Sequence, residues 1–165
     1  MCIRDSLITA KEVLTRKPAP WHSHHMFPPY LLFDVDNGVM NRSREGGISN
    51  NAEANFVVKI LERFSQEFRD LKNLSFGIIT FYNDQVIKIK KFMNRNYIIN
   101  WMKYNNISIQ VSTVDGFQGS EKDIIILSCV RSKYDSNTTK NNKSVGFLND
   151  FRRVNVSLTL SLIHI

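Results

Sequence analysis

Cysteine is scarce in this chain: two in 165 residues, Cys2 and Cys129. They lie far apart and neither sits in a Cys-x-x-Cys pair, which excludes a disulfide scaffold and a thiolate zinc site of ordinary spacing. A reducing compartment suits such a chain. Cys129 lies inside an aliphatic stretch and is expected to be a buried free thiol. No apolar run approaches the ~18 residues of a membrane-spanning helix. Nothing matches GxxxxGK[S/T], so the glycine-rich loop that cradles nucleotide phosphates is missing. There are only four prolines, all within residues 18–29, which marks that stretch as irregular. It also carries His22, His24 and His25, but no cysteine or second histidine cluster completes a ligand set, so a polar loop is expected there. Internal repeats are absent.

What is present describes an ordinary globular chain, 42% apolar and 22% charged, long enough for one domain with its own core. The net charge of +7 leaves a polyanionic partner open without requiring one. "YLLFDV" (30–35) reads as a buried strand, and "NRSREGGISN" (41–50) as a loop with Ser49 or Asn50 capping a helix. Apolar residues at Ala54, Val57, Val58, Leu61, Phe64 and Phe68 give that helix one buried stripe between 51 and 70. "LSFGIIT" (74–80) is a second strand. Asn83 or Asp84 is placed to cap a second helix with a basic face of Lys88, Lys90, Lys91 and Arg95. "ISIQVST" (107–113) and "DIIILSCV" (123–130) complete the strands. The unbroken aliphatic character of the last suits a parallel strand covered on both faces. A polar Asn/Lys-rich loop follows, then a helix in "LNDFRRVNVSLT" (148–159). Strands alternating with helices indicate an α/β fold with a mainly parallel sheet and helices on both faces. Ligands in such sheets bind beyond the carboxyl ends of the strands.

The two ends look foreign. One short DNA and its reverse complement encode both Met1–Ser6 and Leu160–Ile165, and that DNA resembles a transposase adapter used in sequencing libraries. Residues 1–6 and 160–165 are therefore expected to be read-through artefacts flanking a partial domain over 7–159.

The segment "VSTVDGFQGSEKDIIILSCVR" (111–131) sets a glycine-punctuated polar loop directly before an aliphatic strand. Gly116 and Gly119 permit close approach of a ligand, and turn amides can cradle an anion. Ser112 and Thr113 offer hydroxyls to phosphate oxygens, and Gln118 both donates and accepts. Glu121 would repel a phosphate and suits a ribose hydroxyl, a water or a metal. The same residues also suit a plain turn with a polar skin. Arg152 and Arg153 point about 100° apart on a helix and cannot share one role.

These residues resemble a known family. "STVDGFQGSEKDIIILSCVRS" is similar to motif V and its following strand in superfamily 1 helicases of the DNA/RNA type. "VGFLNDFRRVNVSLT" resembles the start of motif VI, and "FGIITFYNDQV" the segment usually read Ile-Ser/Thr-Pro-Tyr-x-x-Gln. The "DFRR" before "NV" is that of the senataxin-like branch. The resemblance implies the second RecA-like domain of an ATP-driven 5′-to-3′ RNA/DNA helicase, a P-loop NTPase fold. It implies that Gln118, Gly119, Glu121, Arg152 and Arg153 face an ATP cleft, and that Tyr82, Gln85, Ser112 and Thr113 face single-stranded RNA or DNA. ATP and Mg²⁺ would be held with a first RecA-like domain of the same protein, not by this chain alone. A nuclear location is expected over a cytoplasmic one. Two departures stand out: the family's proline is Phe81, and the arginine finger expected at 160 is Leu160. A non-catalytic nucleic-acid-binding α/β module is the alternative.

With neither a phosphate loop nor that arginine, the chain alone is expected to show no ATP hydrolysis above background. An arginine finger contributes about 10³–10⁵ in rate. Phosphate release measured with and without single-stranded RNA checks this, and turnover above a no-protein control contradicts it.

Overall fold

The computed structural model describes residues 17–35, 38–94, 96–117 and 120–131. The helix expected at 148–159, the polar loop before it and both chain ends lie outside these residues.

Three parallel strands form the centre: β3 (Ser75–Thr80), β4 (Ser108–Thr113) and β5 (Ile124–Ser128), in the order β4-β3-β5. Between β3 and β4 the chain crosses over through two helices, α2 (Asn83–Met93) and α3 (Asn96–Asn105). The next connection takes the chain past β3 to its other side, so the strand order reverses around β3. In open parallel sheets such a reversal leaves a crevice at the carboxyl edge. Ahead of the sheet lies α1 (Asn51–Glu67), entered directly from a small antiparallel hairpin of β1 (Met40–Arg42) and β2 (Ile48–Asn50). The 41–50 stretch is therefore not a plain loop. Ser43 and Gly47 close the hairpin turn, and Gly46 takes φ +84° within it.

The alternation of β3 splits the apolar residues between two clusters. On one face, Phe76 and Ile78 meet Ala54, Val57, Val58, Leu61 and Phe64 of α1, Val86 and Ile89 of α2, and Ile98 and Trp101 of α3. Phe64 is the aromatic hub, with ring centroids 5.2 Å from Phe76 and from Phe27, 4.7 Å from Phe68 and 6.3 Å from Trp101. Trp21 and Phe27 thus tie the proline-rich segment to α1. The three histidines of that segment serve packing and turns: His22 Nδ1 accepts from the Ala19 amide at 3.1 Å, and His24 stacks on His25.

On the opposite face lie Ile79, Phe81, Tyr82, Val114, Phe117 and Val130 with Ile48 of the hairpin. Phe117 closes a short 3-10 turn, Asp115–Phe117, in the loop after β4. It can lie flat on β3 because position 77 is glycine: a Cβ there would meet Phe117 Cζ at 2.5 Å and Ile125 Cδ1 at 2.6 Å.

Three expectations need correcting. Residues 30–35 are not a buried strand; they pair with no strand among the described residues, and Tyr30 and Leu32 are 64% and 82% exposed. They border a cavity of about 860 Å³ beside β5. β5 is parallel as expected, but it is the outer strand of the described sheet, and its first four residues are only half-buried. α2 starts after Tyr82, which makes no side-chain cap, so neither Asn83 nor Asp84 caps it. The helix at Asn96–Asn105 was not anticipated from the sequence.

Gly77→Ala is expected to cost about 1–3 kcal/mol, because a methyl there overpacks a seam already filled by Phe117 and Ile125. Urea unfolding reads the loss, and Phe117→Leu in the same background should recover part of it.

Candidate functional site

The carboxyl edge of the sheet is built around one side chain. Gln85, in the first turn of α2, is fully buried. Its Oε1 accepts from the Asn50 amide at 2.8 Å, and its Nε2 donates to the Asn50 carbonyl at 3.2 Å and to Ser128 Oγ at 3.1 Å. Ser128 donates onward to Glu53 Oε2 at 2.7 Å. The Val130 amide donates to the same oxygen at 2.8 Å. Asn50 caps α1 by accepting from the Glu53 amide at 3.1 Å, and its Nδ2 donates to the Val130 carbonyl at 3.2 Å. One network therefore joins the hairpin, α1, α2 and the end of β5. Buried polar groups this fully paired specify geometry, since each lost partner leaves a desolvated atom.

Asn50 was expected as a cap; Glu53 was not expected as anything. Its trace in the sequence is the Asn-x-x-Glu spacing of a capping box. The reciprocal half of the box is rerouted: Gln85 takes the Asn50 amide, which frees the Glu53 carboxylate for β5.

The structure distributes the expected site residues unevenly. Tyr82 is buried at the carboxyl end of β3, and its hydroxyl accepts from Arg131 Nε at 2.7 Å. The Arg131 guanidinium lies 5.8 Å from the Tyr82 ring centre. The two line a hollow of about 520 Å³ with Gly46, Gly47 and Asp84. Arg131 is a site residue that the sequence reading missed; only its place one residue after the aliphatic stretch 123–130 hinted at it. Thr113 and Ser112 are half-buried at the end of β4, beside Thr80 and Ile79 of β3. Thr113 Oγ1 accepts from the Gly116 amide at 3.3 Å, and a Cβ on Gly116 would meet Ser112 Oγ at 2.4 Å. Both hydroxyls thus shape the turn after β4. Gln85, expected to face nucleic acid, instead has its amide inside the protein.

Glu121 is exposed and lies in the connection that leads into β5. Two residues later Asp123 Oδ2 accepts from the Ser75 amide at 2.8 Å and from Ser75 Oγ at 2.6 Å, which pins the loop's far end to the start of β3. Five residues separate that end from Thr80, roughly 16 Å along a strand. The structure does not bring Glu121 together with Tyr82 and Thr113. Gln118, Gly119, Arg152 and Arg153 lie outside the described residues.

Cys129 is exposed, against the expectation of a buried thiol. It alternates with the buried pair Ser128 and Val130, so its side chain points away from the core. Local desolvation first, and the Glu53 charge second, push its pKa above the ordinary thiol value, so it is neutral at pH 7.

Gln85→Ala strands the Asn50 peptide groups and the Ser128 hydroxyl at once. It is expected to cost about 2–4 kcal/mol of stability, read as a lower urea midpoint at unchanged slope.

Comparison with known proteins places this geometry. An AAA domain family matches residues 3–161. Helicase SEN1 of Saccharomyces cerevisiae is 35% identical over 151 residues, covering 90% of this chain and 6% of that protein. Probable helicase senataxin of Homo sapiens is 34% identical over 133 residues, covering 81% of this chain and 4% of its own length. The Drosophila melanogaster homolog of Regulator of nonsense transcripts 1 is 40% identical over 137 residues, 78% of this chain and 10% of that protein. The chain thus spans a small part of each relative. The parallel sheet with its packed helices is of the RecA-like P-loop NTPase type. The chain belongs to this AAA domain family, as a helicase-type domain akin to those of superfamily 1.

Proposed function

We propose that the chain supplies the second half of the ATP and nucleic-acid cleft of an ATP-dependent RNA/DNA helicase, with motif V and its following strand at 112–132 and part of motif VI at 145–159. The observation that carries this reading is the course of the loop after β4. It leaves the carboxyl edge at Thr113, the edge at which Tyr82 and Arg131 also lie, and reaches the opposite edge at Asp123. The segment after β4 therefore has one end suited to a nucleic-acid backbone and another suited to a nucleotide. Tyr82, Ser112 and Thr113 are assigned to the nucleic-acid side, and Gln118, Gly119, Glu121, Arg152 and Arg153 to the nucleotide side. Gln85 belongs to the first group as the support beneath it.

The described residues do not by themselves fit ATP with Mg²⁺. No group of three or more His, Cys, Asp or Glu among them is placed to hold a metal, and the sequence has no phosphate loop. Those ligands are assigned to a cleft shared with a first RecA-like domain of the same protein, and no chemical step is placed on this chain. The likeness to senataxin favours the nucleus. No helix among the described residues is long and apolar enough to cross a membrane.

The second reading, a non-catalytic nucleic-acid-binding module, rests on the same carboxyl edge without the nucleotide side. Fluorescence anisotropy with labelled single-stranded RNA and DNA of about 15 nucleotides tests the part common to both. Binding is expected to weaken steeply between about 50 and 200 mM salt, and Thr113→Val to weaken it several-fold. Absence of salt-dependent binding removes both readings. A genomic reading frame that encodes a phosphate loop upstream selects the helicase; a frame without one selects the module.

A further inference from the structure

Val130 adopts φ +70°. A β-branched residue in this left-handed region is a true outlier, held only where its surroundings over-determine it. Val130 is also fully buried, with its side chain in the second apolar cluster. Both of its peptide groups are gripped from the start of α1. Its N–H donates to Glu53 Oε2 and its carbonyl accepts from Asn50 Nδ2. The next residue, Arg131, sets its Nε on the Tyr82 hydroxyl. In a relaxed extended conformation Val130 would carry β5 straight on, and residue 131 would leave the edge in another direction.

We infer that Asn50 and Glu53 are positioning residues: by clamping Val130 in the left-handed conformation they turn the chain at the end of β5 and set the Arg131 guanidinium against Tyr82 at the sheet's carboxyl edge. The clamp stands on geometry alone. That the arginine so placed meets a nucleic-acid phosphate rests on the function proposed above. Arginine suits that role, since its planar fork matches phosphate oxygens.

The test uses the full chain labelled with ¹⁵N, reading solvent exchange of the Arg131 Nε–H, assigned by its loss in Arg131→Lys. Tyr82→Phe, which removes the acceptor, sets the unprotected limit. Glu53→Gln is expected to speed this exchange about tenfold while core amides in β3 stay protected. In a Val130→Gly background the same substitution should have a much smaller effect, because glycine takes the left-handed conformation unaided. An equal effect in both backgrounds overturns the inference. If Glu53→Gln does not fold, Val130→Gly is compared with Val130→Ala: the glycine variant should melt about 3 °C higher, against the usual order. An alanine variant that melts as high overturns the inference as well. Arg131→Gln separates the two layers. Weakened RNA binding supports the phosphate role, and unchanged binding alongside the expected exchange pattern removes that role and leaves the clamp.

Discussion

The buried amide of Gln85 is the constraint on which the carboxyl edge depends. An amide sealed from water must satisfy its carbonyl and its N–H groups within the protein, so every partner is fixed in place by the same requirement. Those partners are the entry to α1 and the end of β5, which lie 35 and 43 residues away in sequence. A hydrophobic side chain at 85 could fill the space but could not set a register between three elements. Polar specification at this point lets the hairpin, two helices and a strand end converge without a metal or a disulfide to join them.

The two faces of the sheet divide the labour. One is a conventional apolar seam, in which α1, α2 and α3 cover β3 and an aromatic cluster around Phe64 fills the space between them. The other is covered by a loop, and Phe117 is what makes that loop part of the core. It packs on Gly77, where a side chain would displace it. The loop therefore has defined ends, one at Thr113 and one at Asp123, each tied to β3.

Much of this could be read from the residues. The stripe of α1, the strands around Ile78 and Val111 and the parallel sheet follow from apolar periodicity, which reports burial directly. Residues 30–35 show the limit of that signal: an apolar run of strand length does not form a strand without a neighbour to bond. The hairpin at 40–50 was hidden because its strands are three residues each, too short to show alternation. α3 was missed because it carries one charge, Lys103, among asparagines and tyrosines, so its stripe through Ile98 and Trp101 stood out poorly. Tyr82 and Thr113 lie at the carboxyl edge, as their places at the ends of apolar runs imply. Residue type did not distinguish a side chain that faces outward from one that supports. Gln85 is amphiphilic chemistry in a buried place, and only tertiary contacts reveal that. Glu53 and Arg131 act through partners about 80 and 50 residues away, beyond the reach of any local pattern.

The middle strand has a further consequence, for how the chain folds. Among the described residues β3 has neighbours only from later in the sequence, and the first of them arrives after two helices. The second must then pass to the opposite side before Asp123 can close on Ser75, 48 residues away. Nearly all of the sheet's hydrogen bonds are thus long-range, and loop-closure entropy is lost before any of them forms. The α1–α2 pair, with its local turns and early apolar contacts, is the part able to condense first. Of the described strands β5 is the last in sequence, so its aliphatic row faces solvent longest as these three assemble. That interval makes β5 the segment of the sheet most open to mispairing with another chain.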